Sequence, residues 1–186
     1  MNKTCEGVTP ELQLSLEQWY YQEARLLDGR QYQSWLGLCC EDIVYTMPAR
    51  TNPLVNNREH GNEDMISVER ELEGIDSDGC PIRDENYVYL FLRVERSFKM
   101  NAWAENPPAR TRRIIGNVEI RSIDGEEISV FNNFHLFYSR PGSADFFYAG
   151  QRRDTLRRND DSYKLARREI IMDMADINVP TLGLFL

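Results

Sequence analysis

Residues 146–173, FFYAGQRRDTLRRNDDSYKLARREIIMD, constrain the fold more than any other stretch. They read as two long strands meeting at a tight turn. Asn159, Asp160, Asp161 and Ser162 supply the turn chemistry, because their short polar side chains bond back to local backbone. Each arm carries paired cations: Arg152 with Arg153, Arg157 with Arg158, then Lys164 and Arg167 with Arg168. Side chains alternate across a strand, so the two members of each pair point to opposite faces. A buried charge without a partner is strongly unfavourable. One member of each pair is therefore expected to face acidic residues of its own domain, and the other to face outward. Outward means either solvent or a protein partner.

A basic ribbon in a chain of formal net charge −8 calls for a negative neighbour. The same net charge repels phosphate backbones, which argues against a nucleic-acid partner. The 186 residues suffice for one domain spanning 1–186 with a sizeable core. No apolar run reaches the length of a membrane span. The opening MNKTCEGVTPEL lacks the apolar region of a secretory leader. Cys5, Cys39, Cys40 and Cys80 are accordingly expected to be reduced thiols in the cytoplasm. They show no metal-binding spacing, and Cys39 and Cys40 are adjacent. With only His60 and His135, most multi-histidine centres are excluded, and the paired Cys/His motifs of a Rieske cluster are missing. His60 lies in a polar loop and His135 in a strand, with no shared local motif for a two-His, one-carboxylate iron site. The chain is expected to hold no cofactor.

Thr9 caps a helix whose first turn takes Pro10. Leu12, Leu16, Trp19, Glu23 and Leu27 mark one face of it, widened by Ala24 and Leu26. Asp28-Gly29 ends it, with Gly expected in the left-handed conformation. Tyr32, Trp35, Leu36 and Cys39 predict a second short helix, and the pair should lie as a hairpin on a sheet. Asp42 to Pro48 alternates as a strand. Glu63 to Glu73 has helical spacing, with a short edge strand as the alternative. Asp84 to Phe98 fits both periods, and its length favours a helix capped by Asp84. Pro107-Pro108 stiffens the segment from Trp103 to Arg113. From Ile114 the chain is a meander, turned at Asp124-Gly125 and Pro141-Gly142. Apolar residues on both sides of the strand around Phe131, Phe134 and Phe137 predict that both faces are covered, with His135 a satisfied core histidine. The tail from Val179 to Leu186 is apolar and predicted to be buried, either in the fold or between subunits. Helices followed by a long meander define an α+β domain, and a strongly bent sheet would make it a cone with an interior pocket.

Six motifs recur here in a familiar order: Glu23 to Asp28, Trp35-Leu36, Asp42 to Pro48, Trp103 to Arg113, Arg152-Arg153 to Arg158, and Ala166 to Asp173. Together, over about Leu12 to Leu186, they resemble the small (beta) subunit of aromatic-ring-hydroxylating dioxygenases of the biphenyl, cumene and phenylpropionate type. Asn106, Ala109, Arg113 and Thr181 depart from the residues usual in that family. The resemblance implies a cone-shaped fold like nuclear transport factor 2, with helices packed on a strongly curved, mainly antiparallel sheet. It implies a structural role in an α3β3 hexamer. The partner alpha subunit would carry a Rieske [2Fe-2S] cluster and mononuclear Fe(II), and would receive electrons from NADH through a reductase and ferredoxin. Candidate subunit contacts are Trp103, Arg110, Arg112 and Arg113, the ribbon residues Arg152, Arg153, Arg157, Arg158, Arg167 and Arg168, and the tail residues Leu184, Phe185 and Leu186. The three arginines 110, 112 and 113 are equally open to pairing within the chain. The alternative is a stand-alone isomerase or dehydratase, with Asp154 and His135 as a metal-free acid/base pair in a pocket lined by Tyr45 and Tyr148.

Overall fold

Helix α1, Pro10–Asp28, starts where the sequence places it: the Thr9 side chain accepts a hydrogen bond from the Leu12 amide at 3.2 Å. The computed structural model describes residues 7–55, 58, 61–74, 79–102, 106–176, 181 and 183–186. Leu16, Trp19, Tyr20, Glu23, Ala24 and Leu27 form the buried face of α1. Gly29 follows the helix with φ −80°, and Arg30 takes the left-handed conformation, φ 57°. The expected conformation thus falls one residue later. Arg30 is held there by donating from Nε and Nη2 to the Ala109 carbonyl at 3.1 and 2.7 Å, a tertiary contact that overrides glycine's local preference.

Helix α2 is shorter than its spacing suggests, Tyr32–Leu36, because strand β1 already begins at Cys39 and runs to Met47. Short strands β2, Ala49–Arg50, and β3, Leu72–Glu73, pair with each other, separated by two 3₁₀ turns at Glu63–Ile66 and Val68–Glu71. The ambiguous pattern there resolves into both of its readings, neither long. Strand β4, Arg83–Glu85, pairs with β1 and so takes Asp84 out of the next helix. Helix α3, Tyr87–Ser97, is capped instead by Asn86, which accepts from the Tyr89 amide.

The rest is the long meander β5, Arg110–Asp124, β6, Glu127–Ser139, β7, Phe146–Asn159, and β8, Ser162–Met172. The main sheet runs β4-β1-β8-β7-β6-β5. All its pairings are antiparallel except β1 with β8. Register shifts interrupt β5–β6 at two places, β7–β8 at one and β1–β8 at one. Each such shift adds local twist and bends its strand, and Asn117, at φ 51°, sits within one of them. The curled sheet wraps its inner face around α1 and closes the cone.

The inner face is apolar and buried: Ile128, Val130, Leu136, Leu156 and Ile170 have no exposed surface. The outer face contradicts the expectation of cover on both sides. Ile114 and Phe147 are each 69% exposed, and no element of the described chain packs over them. His135 pairs with Ile114 and Ala149 on that outer face and is exposed. It is not a core histidine, because it falls between the inward residues Phe134 and Leu136.

Candidate functional site

Alternation on β7 sends Arg152 and Asp154 inward, and on β8 it sends Arg168 inward. Glu23 reaches them from the buried face of α1, one turn after Trp19. Burial is essentially complete for all four: Glu23 1%, Arg152 1%, Asp154 2% and Arg168 0% exposed. Arg168 is the hub. Its Nη1 and Nη2 donate to the two Glu23 carboxylate oxygens at 2.7 and 3.0 Å, and its Nε and Nη2 donate to the two Asp154 oxygens at 2.9 and 2.8 Å. Arg152 donates to Glu23 at 3.1 Å and to the Asn132 side-chain carbonyl at 2.7 Å. Its other end faces the rings of Tyr20 and Phe134, 5.3 and 5.9 Å away, and a ring face attracts a cation. Tyr20 donates its hydroxyl hydrogen to Asp154 at 3.0 Å, and the Trp35 indole N–H donates to Glu23 at 3.1 Å.

Two carboxylates and two guanidiniums balance, so this four-residue network carries no net charge. Burial would raise the Glu23 carboxyl, but Arg168 and then Arg152 outweigh it and hold it down at about 2. Burial would likewise lower Arg168, and Asp154 and Glu23 drive it upward instead. Both ions are locked in their charged forms. A general acid or base needs a proton that can leave or arrive near the working pH, and Glu23 and Arg168 offer none. The Asp154–His135 pair of the alternative reading does not form, since the two residues lie on opposite faces of the sheet.

The tail completes the interior. Phe185 and Leu186 are buried at 3% and 2% exposure. The Phe185 ring packs on Trp35, with ring centres 4.6 Å apart, and its carbonyl accepts from Arg113 at 2.6 Å. Tyr45 donates its hydroxyl hydrogen to the Leu186 carbonyl at 2.8 Å and accepts from the Leu186 amide at 2.9 Å. Arg168 also donates to the Leu186 carbonyl, at 3.1 Å. The tail and the ion network together fill the base of the cone. Toward the cone's mouth a cavity of about 740 Å³ remains, walled by Tyr32 and Tyr138, α3 and the segment before β7.

The candidate contact residues therefore divide. Arg152, Arg168, Phe185 and Leu186 are interior, and Arg113 joins them, 9% exposed and paired with Asp28. Their assignment to a subunit surface is corrected: a guanidinium inside this fold is held by this fold's own carboxylates. Arg153 pairs with Glu69 and Glu169, and Arg157 with Asp42 and Glu127, all within the chain. Arg110, Arg112, Arg158 and Arg167 are exposed, and Leu184 is half-buried. Trp103 lies outside the described residues. Glu23 was the missed residue. Its signal was a carboxylate set on an otherwise apolar helix face, which only a buried cation can balance. Among the described residues no group of three His, Cys, Asp or Glu is placed to hold a metal.

The helices packed on a curled, mainly antiparallel sheet form an α+β cone with the fold of nuclear transport factor 2. Residues 22–179 match the family model of the ring-hydroxylating beta subunit. The chain is 36% identical to the biphenyl 2,3-dioxygenase subunit beta of Rhodococcus jostii, over 96% of this chain and 90% of that one. It is 33% identical to the benzene 1,2-dioxygenase subunit beta of Pseudomonas putida, with the same coverage. A naphthalene 1,2-dioxygenase structure shares the fold at TM-score 0.79 and 23% identity, covering 97% of this chain and 89% of that one. The chain belongs to the family of ring-hydroxylating dioxygenase beta subunits.

Proposed function

We propose that this chain is the structural subunit of the terminal oxygenase in a Rieske-type system that cis-dihydroxylates an aromatic ring. Its alpha partner supplies the [2Fe-2S] cluster and the mononuclear Fe(II), and receives electrons from NADH through a reductase and ferredoxin. The expected assembly is an α3β3 hexamer in the cytoplasm. The observation that carries the reading is the family match over residues 22–179, together with relatives by sequence that are dioxygenase beta subunits. The paired ions and the tail at the base of the cone fit a structural role.

The contacts with other subunits fall, on this reading, to groups the chain leaves uncovered. Ile114, Phe137 and Phe147 share the outer sheet face with Arg112, in adjacent register across β5, β6 and β7. Apolar centres edged by arginine are the composition of protein interfaces. Arg110, Arg158, Arg167 and Leu184 are further candidates. Co-expression with the large subunit, followed by native mass determination, tests the proposal. A complex with equal numbers of the two chains is the expected result. A beta chain that purifies alone, with the large subunit fully assembled and active without it, would overturn the reading.

A further inference from the structure

The cavity at the mouth of the cone has a chemistry that subunit assembly does not explain. At about 740 Å³ it falls within the range of about 300–1,000 Å³ typical of small-molecule pockets. Arg83, Arg93, Arg96 and Arg140 line it, against Glu85 as the one carboxylate among its described walls. It is a cationic pocket in a chain of net charge −8.

Glu85 is already engaged, accepting from both Arg83 and Arg93. Arg93 is fixed further by donating to the carbonyls of Gly183 and Leu184 at 3.1 and 2.8 Å, and it stacks on the Phe185 ring at 4.3 Å. Arg96, three residues on along α3, is exposed, and its guanidinium has no ion-pair or hydrogen-bond partner among the described residues. Tyr138 also lines the cavity: the residue is 3% exposed overall, but its hydroxyl is not among the buried polar atoms and makes no side-chain hydrogen bond among the described residues, so it is open to the cavity as a donor. Tyr32 adds a second aromatic wall.

We infer that this cavity binds a small aromatic carboxylate. The ring lies against Tyr32 and Tyr138, and the carboxylate accepts hydrogen bonds from the Arg96 guanidinium and the Tyr138 hydroxyl. The planar donor fork of arginine matches a carboxylate bidentately. A bare inorganic anion would leave the aromatic walls unused, and a neutral aromatic would leave the arginine unmatched. The inference goes beyond the assembly role and does not rest on it.

Calorimetric titration of the full chain with benzoate, benzamide and inorganic phosphate tests it, with saturation-transfer NMR as a second readout. Saturable benzoate binding is expected, with benzamide and phosphate each weaker by about tenfold, the worth of a charge-assisted pair. Arg96→Ala, an exposed change, weakens benzoate about tenfold and Tyr138→Phe about threefold. Arg121→Ala, outside the lining of the cavity, leaves it unchanged. Benzoate that never saturates overturns the inference. So does equal affinity for benzamide or phosphate, or benzoate binding indifferent to Arg96→Ala in a variant whose circular dichroism is native. Loss of assembly with the large subunit would leave these titrations untouched, so the two proposals fail separately.

Discussion

At the scale of single residues, the Glu23 carboxyl shows how the interior is bound to pH. Its value drops from 4.5 to about 2 on folding, against the pull of burial, because Arg168 and Arg152 favour the anion. A carboxyl depressed in this way adds stability that is fully present above the unfolded value. That stability is lost as pH falls through the folded one, here between 4.5 and about 2. Glu23→Gln keeps the shape and leaves two buried guanidiniums facing one carboxylate. Breaking a buried pair costs about 3–5 kcal/mol, so urea denaturation at pH 7 should show a loss of that order. The variant should also lose less stability than the parent as the pH is lowered through that window. Parallel pH profiles would remove Glu23 from the account. Tyr45→Phe gives up both bonds to Leu186 and should cost about 1–3 kcal/mol, read as a lower thermal midpoint. The sequence sets Glu23 on the apolar stripe of α1. It did not say which arginines answer it, because pairing across α1, β7 and β8 depends on how the sheet curls.

At the scale of elements, periodicity recovered what backbone geometry dictates directly. The alternation of β6 and β7 and the capped start of α1 were readable because each is a local pattern with a local cause. The misplacements came from tertiary pairing. Asp84 left the helix to pair with Thr46, and Cys39 entered a strand that pairs with Leu165. The bulges that curl the sheet had no sequence signal at all beyond Asn117. Close packing of β7 is testable at Gly150, where an added Cβ would lie 2.3 Å from the Ile171 carbonyl oxygen and 3.1 Å from the Phe134 ring. Gly150→Ala must push apart backbone at the centre of the sheet, and about 1–3 kcal/mol should be lost, measured by chemical denaturation. The tail is the second element with a clear prediction. Phe185→Ala removes the ring on Trp35 and beneath Arg93 and should cost about 3–5 kcal/mol. An unchanged midpoint would mean that the tail merely rests on the cone.

At the scale of the whole molecule, the uncovered outer face separates folding from assembly. Ile114→Glu, Arg112→Glu and Phe147→Glu together place three carboxylates on a surface that the chain's own core does not need. The monomer's denaturation midpoint should stay near that of the parent, while the mass of the complex with the large subunit collapses to its parts. Retention of the full complex in low and moderate salt would show this face to be plain surface. The sequence recorded apolar residues on both faces of β6 but not which face the chain itself would cover. Helix α1 has buried area for one side only, and that is decided by docking.

The one parallel pairing in the sheet sets the order in which this molecule can come into being. Strand β1 is made early, yet its long neighbour is β8, whose first residue lies more than a hundred positions later. Until β8 is in place, β1 has only the three-residue β4 beside it, and Glu23 lacks Arg168, the hub of its ion network. The hairpins of the meander can zip locally, but the N-terminal third must wait, held open by the cost of closing a long loop. Folding is therefore gated by the last strand of the sheet. A chain released before Ser162 should be captured by chaperones or degraded rather than accumulate as a smaller folded unit.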